Sequence, residues 1–159
     1  MQNREKSEAL VALLRRQGLT LSAAESCTGG WFSKSVVDVS GASEVFFGGV
    51  VSYVNSVKET VLSVPRSLIE THTAVSAPVA RAMAQGVCRL TRSDIGISVT
   101  GLAGPGGGSA SIPVGRVYIG VCRAAKEIFV REFDFCGTRE EIRLGAVNAM
   151  TDILLEILS

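Results

Sequence analysis

Histidine is almost missing from this 159-residue chain, with His72 its only example. One imidazole cannot build a clustered zinc centre, and Cys27, Cys88, Cys122 and Cys136 form no C-x-x-C pair. No metal is therefore expected, and the four thiols read as reduced cysteines of a cytosolic protein rather than as a disulfide framework. Long apolar runs are missing too: none reaches the roughly 20 residues of a membrane span. Met1 to Lys6 is polar and shows no secretory signal, so a cytoplasmic location without a membrane partner is expected. Charge is scarce and balanced, 19% of residues with a formal net of +1. Such balance gives no general pull toward nucleic acid, so any phosphate site has to be local.

What is abundant is apolar residues, 47% of the chain. That content and length predict one compact α/β domain over 1–159, with apolar surface left over for a homodimer interface. Ala9, Leu10, Leu13 and Leu14 recur at helical spacing, and Gly18 stops that helix. The pattern continues with a strand at Leu19 to Ala24, a helix at Gly30 to Val39, and a strand at Val45 to Val54 interrupted by Gly48 and Gly49. Asn55 is expected to cap a short helix carrying Lys58, Pro65 to begin a turn, and Ser76 with Pro78 to open a helix over Ala77 to Leu90. Ile95 to Thr100 reads as a buried strand. Val114 to Cys122 and Ile128 to Phe135 read as a hairpin joined by Arg123 to Glu127, and Thr138 with Glu141 as a capping box for the last helix. Strands alternating with helices predict a three-layer α/β/α sandwich with one antiparallel strand in the late hairpin.

Chemistry concentrates at Ala24-Glu25-Ser26-Cys27-Thr28-Gly29-Gly30, where the first strand breaks into small polar residues and paired glycines. Ser26 reads either as a helix cap or as a nucleophile, with the N–H groups of Cys27, Thr28, Gly29 and Gly30 as oxyanion donors. Cys27 is the second choice of nucleophile, since no histidine lies near it in sequence to stabilise a thiolate. His72 lies outside any glycine-rich turn, so a Ser-His-Asp arrangement is disfavoured. Lys58 serves as a base only if its pKa falls; early helix position and Val54, Val57 and Val61 are the expected causes, and a solvated surface lysine is the alternative. Tyr53 is either a proton relay or a core-edge tyrosine, and Asn55 a cap or a substrate contact. Thr100 and Gly101 end the third strand before a glycine-rich loop, placed to offer a hydroxyl and an N–H to a nucleotide. Arg139 and Arg143 share one helix face, either as a solvated face or as partners of a 5′-phosphate.

Ala24 to Gly30, Tyr53 with Asn55 and Lys58, Thr100 to Gly107, Pro113 to Gly115, and Arg139 to Arg143 stand in register along the chain. Together they resemble the CinA C-terminal domain family over nearly the whole length. The resemblance implies an α/β/α sandwich around a mostly parallel mixed sheet of about five strands, and a homodimer. It implies an amidohydrolase that converts nicotinamide mononucleotide to nicotinate mononucleotide and ammonia, without cofactor or metal. In that reading Ser26 is the nucleophile, Lys58 and Tyr53 form the base system, and Asn55 and Arg143 contact the pyridine nucleotide. An amidase for another small amide, or a catalytically silent nucleotide-sensing module linked to competence or DNA damage, are the alternatives. The activity of the molybdopterin-binding-like domain that precedes this module in longer relatives is not carried over.

Overall fold

The computed structural model describes residues 3–124 and 127–159. Helix α1 (Asn3–Gln17) buries Leu10, Val11 and Leu14 and ends at Gly18, whose φ of 65° is open to glycine at little cost. The elements that follow are β1 (Leu21–Glu25), α2 (Trp31–Val37), a 3₁₀ turn (Ala42–Glu44), β2 (Phe46–Val51), α3 (Asn55–Thr60) and α4 (Arg66–His72). The second half comprises α5 (Ala77–Thr91), β3 (Ile95–Gly101), β4 (Arg116–Arg123), β5 (Glu127–Asp134) and α6 (Arg139–Leu158). The expected connection between the last two strands lies partly outside the described residues.

The five strands form one mixed sheet in the order β2-β1-β3-β4-β5. β1 pairs parallel with β2 and β3, whereas β4 pairs antiparallel with both β3 and β5. Four strands therefore run one way and β4 alone runs back, as the hairpin predicts.

Period-two alternation decides which layer covers which face. Ile95, Ile97 and Val99 join Leu21 and Ala23 in a core with Leu10, Leu14, Phe32, Ile142, Val147 and Met150, so α1, α2 and α6 pack on that face. The intervening positions are small, and α5 lies against them. A Cβ added at Gly96 would meet the Ala84 carbonyl at 2.5 Å, and one at Gly120 the Ala80 carbonyl at 2.6 Å. Ser98 Oγ donates to the Ala80 carbonyl and Ser22 Oγ contacts Ser93 Oγ at 2.7 Å, so the polar atoms at this tight contact have partners. Leu62, Val64, Val79, Met83 and Val87 complete the core on the α5 side.

Three sequence expectations need correction. β1 runs through Glu25 rather than ending at Ala24, so Ser26 follows the strand directly. Asn55 does not cap α3: Val54 is the extended residue before it and no side chain caps the helix. The stretch after Pro65 is not only a turn but the helix α4, which buries none of its residues and so lacks an apolar period to reveal it.

Candidate active site

The order β2-β1-β3 creates a switch point, because the chain leaves β1 for one neighbour and later returns to its other side. Ligands in open α/β sheets bind outside the carboxyl ends of strands at such a point. Here Ser26 and Cys27 follow β1, Ser52 and Tyr53 follow β2, and Thr100 and Gly101 end β3. The strand ends are fastened together: Ser26 N–H donates to the Val99 carbonyl at 3.1 Å, and Ser52 N–H to the Glu25 carbonyl at 2.7 Å.

A cavity of about 230 Å³ opens there. Ser26, Cys27, Tyr53, Asn55 and Lys58 line it with Thr100, Gly101 and Arg139, and Ala74, Val75, Leu102 and Ala103 complete the wall.

Lys58 is the one buried residue of α3, only 1% exposed. Its Nζ lies 3.1 Å from Ser26 Oγ, 2.6 Å from the Ser52 carbonyl and 3.3 Å from the Tyr53 carbonyl. Both carbonyls can only accept. A neutral amine has two N–H donors and one lone pair, so two donors to the carbonyls leave the lone pair for the third neighbour, the Ser26 hydroxyl. Among the described residues no carboxylate pairs with Lys58, and burial lowers its pKa from 10.5 to about 8, with the buried Cys27 acting weakly the other way. The expected desolvation by Val54 and Val61 does not hold. Both are exposed, and the amine is covered instead because it turns inward under the ends of β1 and β2.

Cys27 is also buried, and burial pushes its thiol up to about 11. A thiol of that pKa is protonated near neutrality, which weakens the case for Cys27 as the nucleophile. His72 ends α4, is exposed, and does not line the cavity.

The turn after Ser26 differs from expectation. Ser26 does not cap α2, whose N-cap is Gly30 with φ 94°. The helix N-terminus is occupied by the chain's own carboxylate: Glu25 Oε1 accepts from Phe32 N–H at 3.0 Å, and Glu25 Oε2 from Ser33 N–H at 3.0 Å and Ser33 Oγ at 2.6 Å. Glu25 Oε1 also accepts the Thr28 hydroxyl at 2.6 Å, so the Thr28 side chain is turned into the protein and away from any ligand. Gly29 N–H donates to the Ser26 carbonyl. Of the four expected oxyanion donors, the Gly29 N–H is therefore already taken, and Cys27 alone lines the cavity.

Thr28, Gly29, Gly30 and Arg143 line a separate shallow depression with Trp31 and Lys34. Arg143, expected at the substrate, instead donates to the Cys27 carbonyl at 2.9 Å and the Thr28 carbonyl at 3.0 Å, with its guanidinium 5.3 Å from the centre of the Trp31 ring. The arginine at the cavity is Arg139, which bridges the Gly104 carbonyl at 2.6 Å and Tyr53 Oη at 3.0 Å. The Tyr53 phenol thus faces Arg139 at the exposed mouth, while only its carbonyl touches Lys58. Thr100 is buried and gives its hydroxyl proton to the Ala74 carbonyl at 2.8 Å, leaving lone pairs but no donor for a ligand. Gly101 leaves no room for a side chain: a Cβ would lie 2.7 Å from Val117 and 3.2 Å from Cys27 Sγ.

Sequence reasoning passed over Glu25, Ser52 and Ala74. Glu25 stood beside Ser26 in the motif, but its helix partners lie seven and eight residues ahead, beyond the spacing of an N-cap. Ser52 and Ala74 contribute carbonyls, which no residue type signals.

A second cavity, about 250 Å³, lies beside Cys88 and Cys122. It holds no amine or imidazole next to a hydroxyl, and burial pushes the Cys88 thiol up to about 11.

The family model described as CinA C-terminal domain matches residues 3–158. A CinA-like protein of Geobacter sulfurreducens is 48% identical over 143 residues, covering 89% of this chain and 34% of that protein. The crystal structure of the competence/damage inducible protein CihA from Agrobacterium tumefaciens superposes with a TM-score of 0.96 at 34% identity, covering 99% of this chain and 96% of that one. A competence or damage-inducible protein from Enterobacter asburiae gives a TM-score of 0.96 at 30% identity, covering 100% and 99%. The chain spans about a third of the length of the curated relatives it matches.

Proposed function

The chain belongs to the CinA C-terminal domain family, and on that premise we propose that it is an amidohydrolase that releases ammonia from nicotinamide mononucleotide. The observation that carries this reading is the buried Lys58 amine, 3.1 Å from Ser26 Oγ, with its other two contacts taken by carbonyls. A base so placed can accept the serine proton at moderately alkaline pH. Ser26 Oγ then bonds to the carboxamide carbon while its proton passes to Lys58, and the oxygen that gains charge is held by N–H groups of the turn. The C–N bond breaks as Lys58 returns the proton to the leaving nitrogen, so ammonia departs. Water attacks the acyl carbon, gives a proton to Lys58, and restores Ser26 as the carboxylate product forms.

Support for a nucleotide comes from Arg139, a permanent cation at the cavity mouth that suits a phosphate once it leaves Tyr53. Asn55 at the rim and Gly101 at the floor would meet the remainder of the ligand. The names of the relatives suggest a role in competence or damage, and a silent nucleotide sensor is the second reading. The Ser26–Lys58 contact favours the enzyme, since a binding module has no use for a neutral amine against a hydroxyl. Ammonia release from a panel of pyridine nucleotides, free nicotinamide and other small amides tests the proposal. Release from nicotinamide mononucleotide, lost in Ser26→Ala, is expected; release from another amide alone would replace the substrate, and release from none would favour the sensor.

A further inference from the structure

We infer that Glu25 is a positioning residue: the turn that carries the nucleophile is folded around its carboxylate, which keeps Ser26 Oγ against Lys58 without itself meeting substrate. The inference rests on the amidohydrolase reading above and concerns what places its nucleophile. Glu25 is 1% exposed and does not line the cavity that Ser26 and Lys58 share. Side chains alternate between the faces of a strand. Ala24 packs with Leu62, Met83 and Val87 on the α5 side, so Glu25, the last residue of β1, points the other way and meets Phe32 and Ser33 of α2. Its four hydrogen bonds come from hydroxyls and backbone N–H groups, none from a cation. A carboxylate buried in this way is a costly choice for stability alone, where an apolar side chain of similar volume serves as well or better.

The contacts of this carboxylate run into the site. Oε1 ties the Thr28 hydroxyl at 2.6 Å to the Phe32 N–H at 3.0 Å, and Oε2 holds Ser33, so residues 25–33 are curled back on the side chain that begins them. Inside that curl the Gly29 N–H closes on the Ser26 carbonyl at 3.1 Å. The peptide joining Glu25 to Ser26 is gripped at both polar atoms: its carbonyl accepts from Ser52 N–H at 2.7 Å and Ser52 Oγ at 3.2 Å, and its N–H donates to the Val99 carbonyl. The Ser52 carbonyl in turn takes Lys58 Nζ at 2.6 Å, and the same Nζ lies 3.1 Å from Ser26 Oγ. Nucleophile and base are therefore hung on one frame, with the Glu25 carboxylate fixing the side of it that the strands do not reach.

The test compares Glu25→Gln and Glu25→Ala with wild type, well below the melting temperature of each, by Ser26 labelling with a fluorophosphonate and by kcat and KM for nicotinamide mononucleotide. In the labelling reaction Ser26 Oγ forms a P–O bond, fluoride leaves, and the serine proton passes to Lys58; intact mass reads the product. A misplaced nucleophile costs up to about 10²-fold, so labelling and kcat should fall together by about 10-fold to 10²-fold, with KM within about twofold. Formate, which is little more than the missing carboxylate, should restore labelling in Glu25→Ala several-fold, and formamide, its uncharged counterpart, should not. Wild-type labelling and kcat in variants that have only lost stability would overturn the inference, as would KM raised tenfold at unchanged kcat, or equal rescue, or none, by the two additives. Should Glu25→Ala not fold, the rates of Glu25→Gln decide. Wild-type protein that labels at Ser26 but releases no ammonia would defeat the amide reading and leave the labelling rates to decide the role of Glu25. Wild-type protein that does neither would remove the nucleophile, and this inference with it.

Discussion

Lys58 Nζ lies 3.1 Å from Ser26 Oγ, and each has its surroundings fixed by a different strand end. Ser26 is held through its N–H on β3, and Lys58 through the carbonyls that follow β2. The pair is thus set by the parallel pairing of three strands and not by the short helix that carries the lysine. A hydroxyl and an amine brought together from 32 residues apart, both buried, are what a serine nucleophile needs when no histidine is at hand.

Replacing Ser26 by Ala should lower kcat for ammonia release by about 10³-fold or more, because the attacking atom is removed. The backbone donors and the strand contacts are unchanged, so the melting temperature should stay within about 2 °C. Calorimetry beside an ammonia assay checks both; near wild-type release would disqualify Ser26.

Tyr53→Phe should act on binding more than on chemistry. The phenol meets Arg139 at the exposed mouth and stands outside the three contacts of the Lys58 amine. Steady-state kinetics should show KM raised severalfold with kcat within about threefold. A hundredfold loss of kcat at unchanged KM would instead give the phenol a part in proton transfer, as the family resemblance implies.

Glu25→Gln keeps the shape of the side chain but brings an NH₂ where donors already converge from Thr28, Phe32 and Ser33. Hydrogen bonds to a charged group contribute roughly 1.5–3 kcal/mol, so a loss of about 2–3 kcal/mol in urea unfolding is expected. A change under 0.5 kcal/mol would mean the carboxylate is not what closes the start of α2.

The capping box shows what sequence can reveal about this fold and why the rest stays hidden. Thr138 and Glu141 satisfy each other within four residues, so their pattern is complete in the sequence and reappears in the structure. The buried strand Ile95–Gly101 and the stop at Gly18 are legible for the same local reason. The i, i+4 spacing of Arg139 and Arg143 is legible, but the partners of Arg143 are carbonyls 115 and 116 residues away, which carry no side-chain signature. Arg139, one turn earlier, reaches the cavity instead, a choice decided by how α6 packs and not by its own spacing. For Lys58 the sequence offers Val54, Val57 and Val61 as cover, whereas the ends of β1 and β2 that bury its amine carry no sequence mark.

A homodimer is expected from the surface as well as from the apolar content. β2 is an edge strand that turns Phe47 and Val51 outward, each about half exposed, and Val37 and Val54 are exposed as well. Such an edge calls for cover. Light scattering at micromolar concentration should give twice the monomer mass, and Phe47→Lys should shift it toward one; a wild-type monomer would contradict the expectation.

The pH dependence of kcat/KM, measured for wild type and Lys58→Arg, tests the Ser–Lys chemistry most directly. Burial lowers the Lys58 pKa to about 8, so the ammonium gives up its proton as pH rises through that value and the base becomes available above it. Activity should therefore climb with pH, reach half its plateau near 8, and stay high on the alkaline side. Lys58→Arg keeps a positive charge that never deprotonates in the working range, so it should lose about 10³-fold and with it the alkaline rise. Substantial activity in Lys58→Arg with the wild-type pH limb intact would contradict a neutral-lysine base and return Lys58 to an electrostatic role.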